Sequence, residues 1–297
     1  TNYAEYIDAL PLLNYAYLEP YINRCREGDP SALFGPEQRI LMFALTSGTT
    51  AAAKYIPVTQ DFANGYRRGW NIWGYKALDD HPDGYLRSIL QVTSPMDQEF
   101  TPGGLPAGAI SGLLAQQQKS IVHKFYVTNP RMAYIEDSLS RYYTIMRLAL
   151  PMDVAFISTA NPSTTLRLAQ IAEEHAPHLI RDIHDGALQE SLQIPGNVRE
   201  YLKPKLKKNP NRAAELEKLI QEHGRLLPQH YWKLSFLANW IGGALSLYIP
   251  RLKDYFGPVP IRDIGLLASE GRISIPLEDN SPAGVLDITC LLYTSDA

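Results

Sequence analysis

The chain has 297 residues, a formal net charge of -3, and a composition that is 45% hydrophobic and 20% charged. This composition is ordinary for a globular protein with a large core, and it lacks the basic excess typical of nucleic-acid-binding proteins. The two cysteines, Cys25 and Cys290, are isolated, and we find no signal pattern and no apolar run long enough for a bilayer. We therefore expect a cytoplasmic protein without nucleic-acid or membrane partners.

The first informative stretch is a predicted strand that leads into a loop of small polar residues. Ile40 to Leu45 is a short, continuous apolar run bounded by a turn signal, which is typical of a buried strand. The loop and its flanks read Thr46, Ser47, Gly48, Thr49, Thr50, Ala51, Ala52, Ala53 and Lys54. Hydroxyl groups, a glycine that permits close backbone approach and a lysine charge together suit a polyphosphate. A P-loop is excluded because that motif has a glycine directly before the lysine and a Ser or Thr directly after it, and Lys54 has neither. The alternative interpretation is a plain surface turn.

Helical and strand patterns alternate after this loop. The first is an amphipathic helix with Thr59 as N-cap, whose apolar face carries Phe62, Tyr66, Trp70, Trp73 and Leu78. It is followed by a predicted strand at 86–92, an irregular loop at 101–112, a helix at 131–150, a strand at 153–158 and a helix at 161–176. The aromatic stripe is more typical of core packing than of a ligand site. The alternation predicts an α/β architecture with largely parallel strand pairing.

The segment 183–226 is predicted to be helical, with lysines and glutamates interleaved on a solvated face. Two nearby clusters carry residue types that bind metals, but their spacing matches no recognised metal site, so we expect surface positions. These clusters are Glu173, Glu174, His175 and His178, and then Asp182, His184 and Asp185.

The second informative region starts with a predicted strand at 233–237 that leads to the pair Gly242 and Gly243. Glycine there lets the backbone approach a ligand closely. A predicted helix at 245–256 and a predicted strand at 259–267 follow. Glu270 comes shortly after this strand, among small residues. A carboxylate in that position is suited to a divalent cation bound to a nucleotide triphosphate, and an ordinary turn acid is the alternative.

The motifs taken together resemble the auxin-responsive family of acyl-acid-amido synthetases, a branch of the adenylate-forming superfamily. The resemblance is carried by TSGTT-x₃-K at 46–54, WIGGA at 240–244 and GLLASEG at 265–271, and it covers nearly the whole chain. It implies an α/β fold: the large N-terminal domain of an adenylate-forming enzyme, with mostly parallel sheets flanked by helices. It also implies that a carboxylic acid reacts with Mg-ATP to give an acyl-adenylate, from which an amine, typically of an amino acid, takes the acyl group.

The resemblance also implies roles for individual residues. Lys54 and Glu270 are the expected catalytic residues: Lys54 orders the phosphate loop or pairs with the phosphates, and Glu270 binds Mg²⁺. The expected ATP- and acyl-binding residues are Thr46, Ser47, Gly48, Thr49 and Thr50 at the β- and γ-phosphates, Gly242, Gly243 and Ala244 beside the adenylate and the acyl carboxylate, and Leu267, Ala268 and Ser269 at the border of the adenine and acyl pocket.

The sequence departs from the family pattern at three places. Leu266 stands where relatives have a tyrosine, 51–53 is all alanine where relatives usually have a glycine, and 290–297 does not continue the family sequence. We expect 1–289 to be an incomplete N-terminal ATP- and acyl-binding domain, 290–297 to be a non-native tail, and the C-terminal domain to be absent, so that the fragment is inactive in the full reaction. An acyl- or aryl-CoA ligase of the same superfamily and a non-catalytic nucleotide-binding protein remain alternatives.

Overall fold

The structure is a computed structural model that describes residues 13–46 and 53–287, together with Glu5. The strands are β1 (Ile40–Leu45), β2 (Tyr55–Thr59), β3 (Ser88–Gln91), β4 (Glu99–Phe100), β5 (Pro106–Gly108), β6 (Val154–Ser158), β7 (Phe236–Ala238), β8 (Ile261–Arg262), β9 (Leu267–Ala268), β10 (Gly271–Arg272), β11 (Ser274–Pro276) and β12 (Gly284–Leu286). The α-helices are α1 (Tyr15–Arg26), α2 (Gln60–Asp80), α3 (Ile110–Gln116), α4 (Ser120–His123), α5 (Ser138–Ala149), α6 (Pro162–Glu174), α7 (Ala176–Asp185), α8 (Gly196–Leu202), α9 (Pro210–His223), α10 (Pro228–Tyr231) and α11 (Ile249–Phe256).

The centre of the fold is a four-stranded parallel sheet in the order β3-β6-β7-β8. Successive side chains of a strand point to opposite faces, and β7 shows this directly. Leu237 packs with α5, α6, α7 and α9 in the larger apolar cluster, whereas Phe236 packs with Trp73 of α2 in a smaller one. Phe236 also stacks on Phe156 of β6, with ring centroids 4.5 Å apart. Helices therefore cover both faces of this sheet, which explains why its central strands β6 and β7 are almost entirely apolar.

A second sheet has the order β2-β1-β5-β4 and mixes the two kinds of pairing. β1 pairs parallel with β5 and antiparallel with β2, with Leu45 opposite Tyr55. The segment 46–54 is therefore a hairpin connection whose two ends lie side by side. Two small antiparallel pairs, β9 with β10 and β11 with β12, complete the described strands.

Several sequence predictions are confirmed. The chain has the α/β class with a parallel sheet and flanking helices, and β1 has the predicted bounds. Thr59 caps α2, because its hydroxyl accepts the N–H of Phe62 at 3.2 Å. The aromatic stripe of α2 lies in the core, where Tyr66 and Trp73 are buried. The predicted domain bounds, including the nature of 290–297, remain predictions.

Two predicted strands are present, but their predicted bounds are wrong because backbone conformation interrupts the strands. The strand predicted at 86–92 starts only at Ser88, since Leu86 has a left-handed backbone with φ of 61°. The strand predicted at 259–267 ends at Arg262, and Gly265 turns the chain with φ of 91° before β9 begins. The left-handed conformation costs free energy for a residue with a side chain, such as Leu86, and little for glycine. In both cases this conformation ends the strand.

Other predicted bounds are corrected by capping and short elements. The helix predicted at 131–150 is broken, because Asp137 starts a new helix by accepting the N–H of Ser140 at 2.7 Å. The loop predicted to be irregular at 101–112 contains β5 and the start of α3. None of the helices in the described part of the chain combines the length and the apolar character that crossing a membrane requires.

Candidate functional site

The ends of the predicted phosphate loop form the base of the β1–β2 hairpin. The N–H of Thr46 donates to the carbonyl of Lys54 at 3.2 Å, and the N–H of Lys54 donates to the Thr46 hydroxyl at 3.3 Å. The Lys54 side chain is exposed, and its ammonium nitrogen lies 5.1 Å from the centre of the Tyr15 ring. The other predicted loop residues, Ser47, Gly48, Thr49 and Thr50, lie outside the described residues.

Polar residues directly follow three neighbouring strands of the parallel sheet. Thr159 comes after β6, Asn239 after β7 and Asp263 after β8. The fully buried Asn239 amide donates to the Thr159 carbonyl at 2.9 Å and to its hydroxyl at 2.8 Å, which joins the ends of β6 and β7. Ligands of open α/β sheets bind at the carboxyl ends of parallel strands, so this edge is where a substrate crevice is expected.

Asp263 joins the two candidate segments that follow β7 and β8. Its side chain is 3% exposed, and its two oxygens accept the N–H groups of Ile241 and Gly265, each at 2.7 Å. Burial raises the pKa of Asp263, while hydrogen bonds from the backbone of Ile241, Gly265 and Gly242 oppose this rise. Asp263 is not among the site residues predicted from the sequence. The available signal was an acid that directly follows the last apolar residues of a strand.

The glycine pair sits where the chain leaves β7. Gly243 begins a 3₁₀ helix, Gly243–Tyr248, with φ of 57°, and a Cβ atom there would meet nothing within 4 Å. Glycine is therefore favoured at this position by the backbone conformation, and not by a lack of space for a side chain among the described residues. Ala244 is also exposed, so this segment borders open space.

Glu270 lies in the turn of a small hairpin. β9 and β10 pair with Ala268 opposite Gly271, so Ser269 and Glu270 form the two-residue turn. Glu270 is partly buried, and within 13–46 and 53–287 no hydrogen bond or ion pair engages its carboxylate. Leu266, directly before β9, is 58% exposed.

Helix α2 connects the two parts of the candidate site. The Trp73 indole donates to the Asp263 carbonyl at 2.7 Å, and the guanidinium of Arg272 lies 4.5 Å from the centre of the Trp70 ring. Arg272 is 1% exposed, and burial lowers its pKa to about 10. Among the described residues, no hydrogen bond or ion pair links Lys54 directly to Glu270. The element between them is α2, which follows β2 and packs against β10 and β11.

In the acidic and histidine clusters, two acids make structural contacts, and Glu174, His178, His184 and Asp185 are exposed as predicted. Glu173 forms an ion pair with Arg225 at 2.5 Å, and Asp182 accepts the hydroxyl of Tyr143 at 2.8 Å. The predicted surface position is wrong for Asp182, which is buried because it anchors α7 to α5 through Tyr143. In the part of the chain that the structure describes, no three His, Cys, Asp or Glu side chains are grouped to hold a metal ion. A separate cleft of about 210 Å³ beside Tyr143 and His175 contains no predicted site residue.

Comparison with known proteins identifies the family. Residues 1–261 match the model of the GH3 family N-terminal domain. The chain belongs to the GH3 family. This confirms the resemblance found in the sequence.

The relatives of this GH3 chain are named as amido synthetases. An indole-3-acetic acid-amido synthetase of Arabidopsis thaliana, GH3.10, is 22% identical over 287 residues, which cover 92% of this chain and 48% of that protein. A jasmonoyl-L-amino acid synthetase of Oryza sativa subsp. japonica, GH3.5, is 24% identical over 294 residues, which cover 95% of this chain and 50% of that protein. The chain thus spans about half the length of the curated relatives that it matches.

A solved structure has the same fold. The AtGH3.15 acyl acid amido synthetase, in complex with 2,4-DB, superposes with a TM-score of 0.76 at 20% identity, over 92% of this chain and 48% of that chain. At this identity the match shows the fold of the GH3 N-terminal domain. It leaves the roles of the individual site residues as predictions.

Proposed function

We propose that this chain belongs to an ATP-dependent ligase that adenylates a carboxylic acid and transfers its acyl group to the amine of an amino acid. The observation that carries the proposal is membership of a family whose matched relatives are named as amido synthetases. The cytoplasmic location predicted from the sequence is part of the proposal.

The chemistry of the described residues fits a magnesium nucleotide. The Lys54 ammonium is exposed and has no acidic partner among the described residues, so it is available to a phosphate. The Glu270 carboxylate is likewise not engaged by another described side chain, and Mg²⁺ commonly uses one or two carboxylates together with phosphate oxygens. Gly243 and Ala244 border open space at the carboxyl edge of the sheet.

We assign roles accordingly. Thr46, Ser47, Gly48, Thr49 and Thr50 hold the β- and γ-phosphates, and Lys54 neutralises part of their charge. Gly242, Gly243 and Ala244 lie beside the adenylate and the acyl carboxylate. Leu267, Ala268 and Ser269 border the adenine and acyl pocket, and Glu270 binds Mg²⁺.

The physical task of these residues is to bring two anions together. A carboxylate and the α-phosphate repel each other, so positive charge and fixed orientation lower the barrier. When bound, Mg²⁺ supplies further charge neutralisation on the triphosphate. The reaction needs no side-chain nucleophile, because the substrate carboxylate itself attacks.

The test is acid-dependent exchange between ATP and pyrophosphate, measured on the protein in its natural full length with a panel of aryl and acyl acids. We expect exchange that requires an acid and falls strongly in Lys54→Ala and in Glu270→Ala. Lys253→Ala and Glu278→Ala are matched controls, because both side chains are exposed and neither belongs to the candidate site. Full-length protein that binds no ATP, or site variants that behave like the controls, would refute the assignment.

The acceptor is tested separately. With an acid that supports exchange, amino acids should be consumed to give an amide, identified by mass spectrometry. Formation of a thioester with coenzyme A, and of no amide, would replace this proposal with a CoA ligase.

A further inference from the structure

Tyr15 contacts both Lys54 and the residue that follows it. It is the first residue of α1, which Asn14 caps by accepting the N–H of Tyr17 at 3.1 Å. The Tyr15 hydroxyl accepts the N–H of Tyr55 at 3.0 Å, and the Lys54 ammonium lies 5.1 Å from the centre of its ring. Tyr15 is half-buried and packs against an apolar cluster that includes residues of α1 and β1.

The hydrogen bond from Tyr55 follows from the hairpin geometry. Thr46 follows β1 and Lys54 precedes β2, and the N–H of each donates to the other residue, so the N–H of the next residue, Tyr55, points away from β1. β2 is the outer strand of the order β2-β1-β5-β4, and N–H groups of such a strand need solvent or a side chain as acceptor. The Tyr15 hydroxyl supplies that acceptor and ties the start of β2 to α1.

The other end of α1 holds the Tyr55 side chain. The guanidinium of Arg26 lies 3.6 Å from the centre of the Tyr55 ring, and the Tyr55 hydroxyl donates to Glu99 of β4. Tyr55 is thus fixed by its main chain at one end of α1 and by its ring at the other. The backbone of Lys54, one residue earlier, has little freedom to shift.

The ring of Tyr15 affects the lysine charge in a specific way. A cation within about 6 Å of an aromatic ring centre is attracted to the ring face. A carboxylate at the same place would neutralise Lys54 and compete with an anionic ligand, whereas the ring leaves the positive charge available. We propose that Tyr15 is a positioning residue that holds the Lys54 ammonium at the base of the 46–54 loop, ready for the polyphosphate of a nucleotide. This inference rests on the proposed function.

The test compares Tyr15→Phe, which keeps the ring, with Tyr15→Leu, which removes both contacts, in the full-length protein. ATP binding is measured by calorimetry, and KM for ATP and kcat are measured by pyrophosphate exchange. We expect Tyr15→Leu to weaken ATP binding and raise KM about fivefold with kcat changed less, and Tyr15→Phe to change KM by about twofold or less. Tyr17→Leu is the matched control, because Tyr17 lies on the same helix and is 54% exposed.

Two further measurements separate positioning from a general loss of structure. In a Lys54→Ala background, Tyr15→Leu should have no further effect on ATP binding, because the two residues act through one contact. Without nucleotide, Tyr15→Phe should speed amide hydrogen exchange at Tyr55 about fivefold, since the N–H loses its acceptor.

Each outcome decides between the proposals. An equal effect of Tyr15→Leu with and without Lys54, or unchanged exchange at Tyr55 in Tyr15→Phe, would overturn the role of Tyr15 while leaving the proposed function intact. A Lys54→Ala variant that binds ATP as well as the wild type would instead overturn the loop assignment itself, and the role of Tyr15 with it.

Discussion

Replacing Asp263 by asparagine tests the connection between the two candidate segments. The Asp263 carboxylate accepts N–H groups of Ile241 and Gly265, each at 2.7 Å, in a site where the side chain is 3% exposed. Asparagine has nearly the same shape but only one acceptor oxygen. Its NH₂ group would face one of the two N–H donors, and that donor would be buried without a partner.

The expected magnitude follows from these contacts. A hydrogen bond to a charged group contributes about 1.5–3 kcal/mol, so two contribute about 3–6 kcal/mol. Burial raises the pKa of Asp263, which shows that desolvation of the carboxylate offsets part of this gain. We expect Asp263→Asn to lower the free energy of unfolding by about 2–4 kcal/mol.

The assay is urea unfolding at neutral pH, with attention to whether the slope stays constant. Asp254→Asn is the matched control, because Asp254 is an exposed acid on α11, and we expect a change below about 0.5 kcal/mol. Pyrophosphate exchange in the full-length protein should fall for Asp263→Asn and not for the control. If Asp263→Asn were as stable as Asp254→Asn, the carboxylate would not be holding the two segments together.

Three further predictions concern the fold. Phe236→Ala should lower the free energy of unfolding by about 3–5 kcal/mol, because Phe236 is fully buried between β6 and α2, and a loss below about 1 kcal/mol would contradict this packing. Gly265→Ala should cost at least about 2 kcal/mol, because φ is 91° and a Cβ atom would collide with a neighbouring carbonyl, whereas Gly35→Ala, which has open space, should be nearly neutral. Burial and the charge of His223 lower the pKa of His230 below its ordinary 6.5, so its contribution to stability is complete above about pH 6.5 and is lost as the pH falls. Unfolding curves at pH 7.5 and 5.5 should therefore show a smaller drop in stability for His230→Gln than for the wild type, and equal drops would exclude this assignment.

Local sequence signals were sufficient for much of the fold. The continuous apolar run of β1 and the predicted core face of α2 are features that depend on a few neighbouring residues, and the structure has both. Thr59 was identifiable as an N-cap because capping involves residues only three positions apart. The alternation of strands and helices was enough for the α/β class, since a helix between two strands is long enough for the crossover that parallel pairing requires.

Local signals also failed in recognisable ways. The periodicity of 131–150 does not reveal the break before Ser138, because apolar residues continue on both sides of the cap at Asp137. The strand predicted at 259–267 looked continuous because most of its residues are apolar, yet Gly265 takes a left-handed conformation that regular strand backbone does not have. A pattern of apolar residues records burial, and burial alone does not distinguish a strand from a buried turn.

The sequence by itself determined the family, the α/β class and the residue types that suit a nucleotide: hydroxyls, glycines, Lys54 and Glu270. Only the tertiary structure decided that β1 and β2 pair in a hairpin tied to α1, that α2 connects this hairpin to the segment around Arg272, and that Asp263 joins the turns after β7 and β8. The reason is physical. Motifs and periodicity arise from interactions between near neighbours, whereas these contacts depend on which distant strands pair and in which register, and no local pattern contains that information.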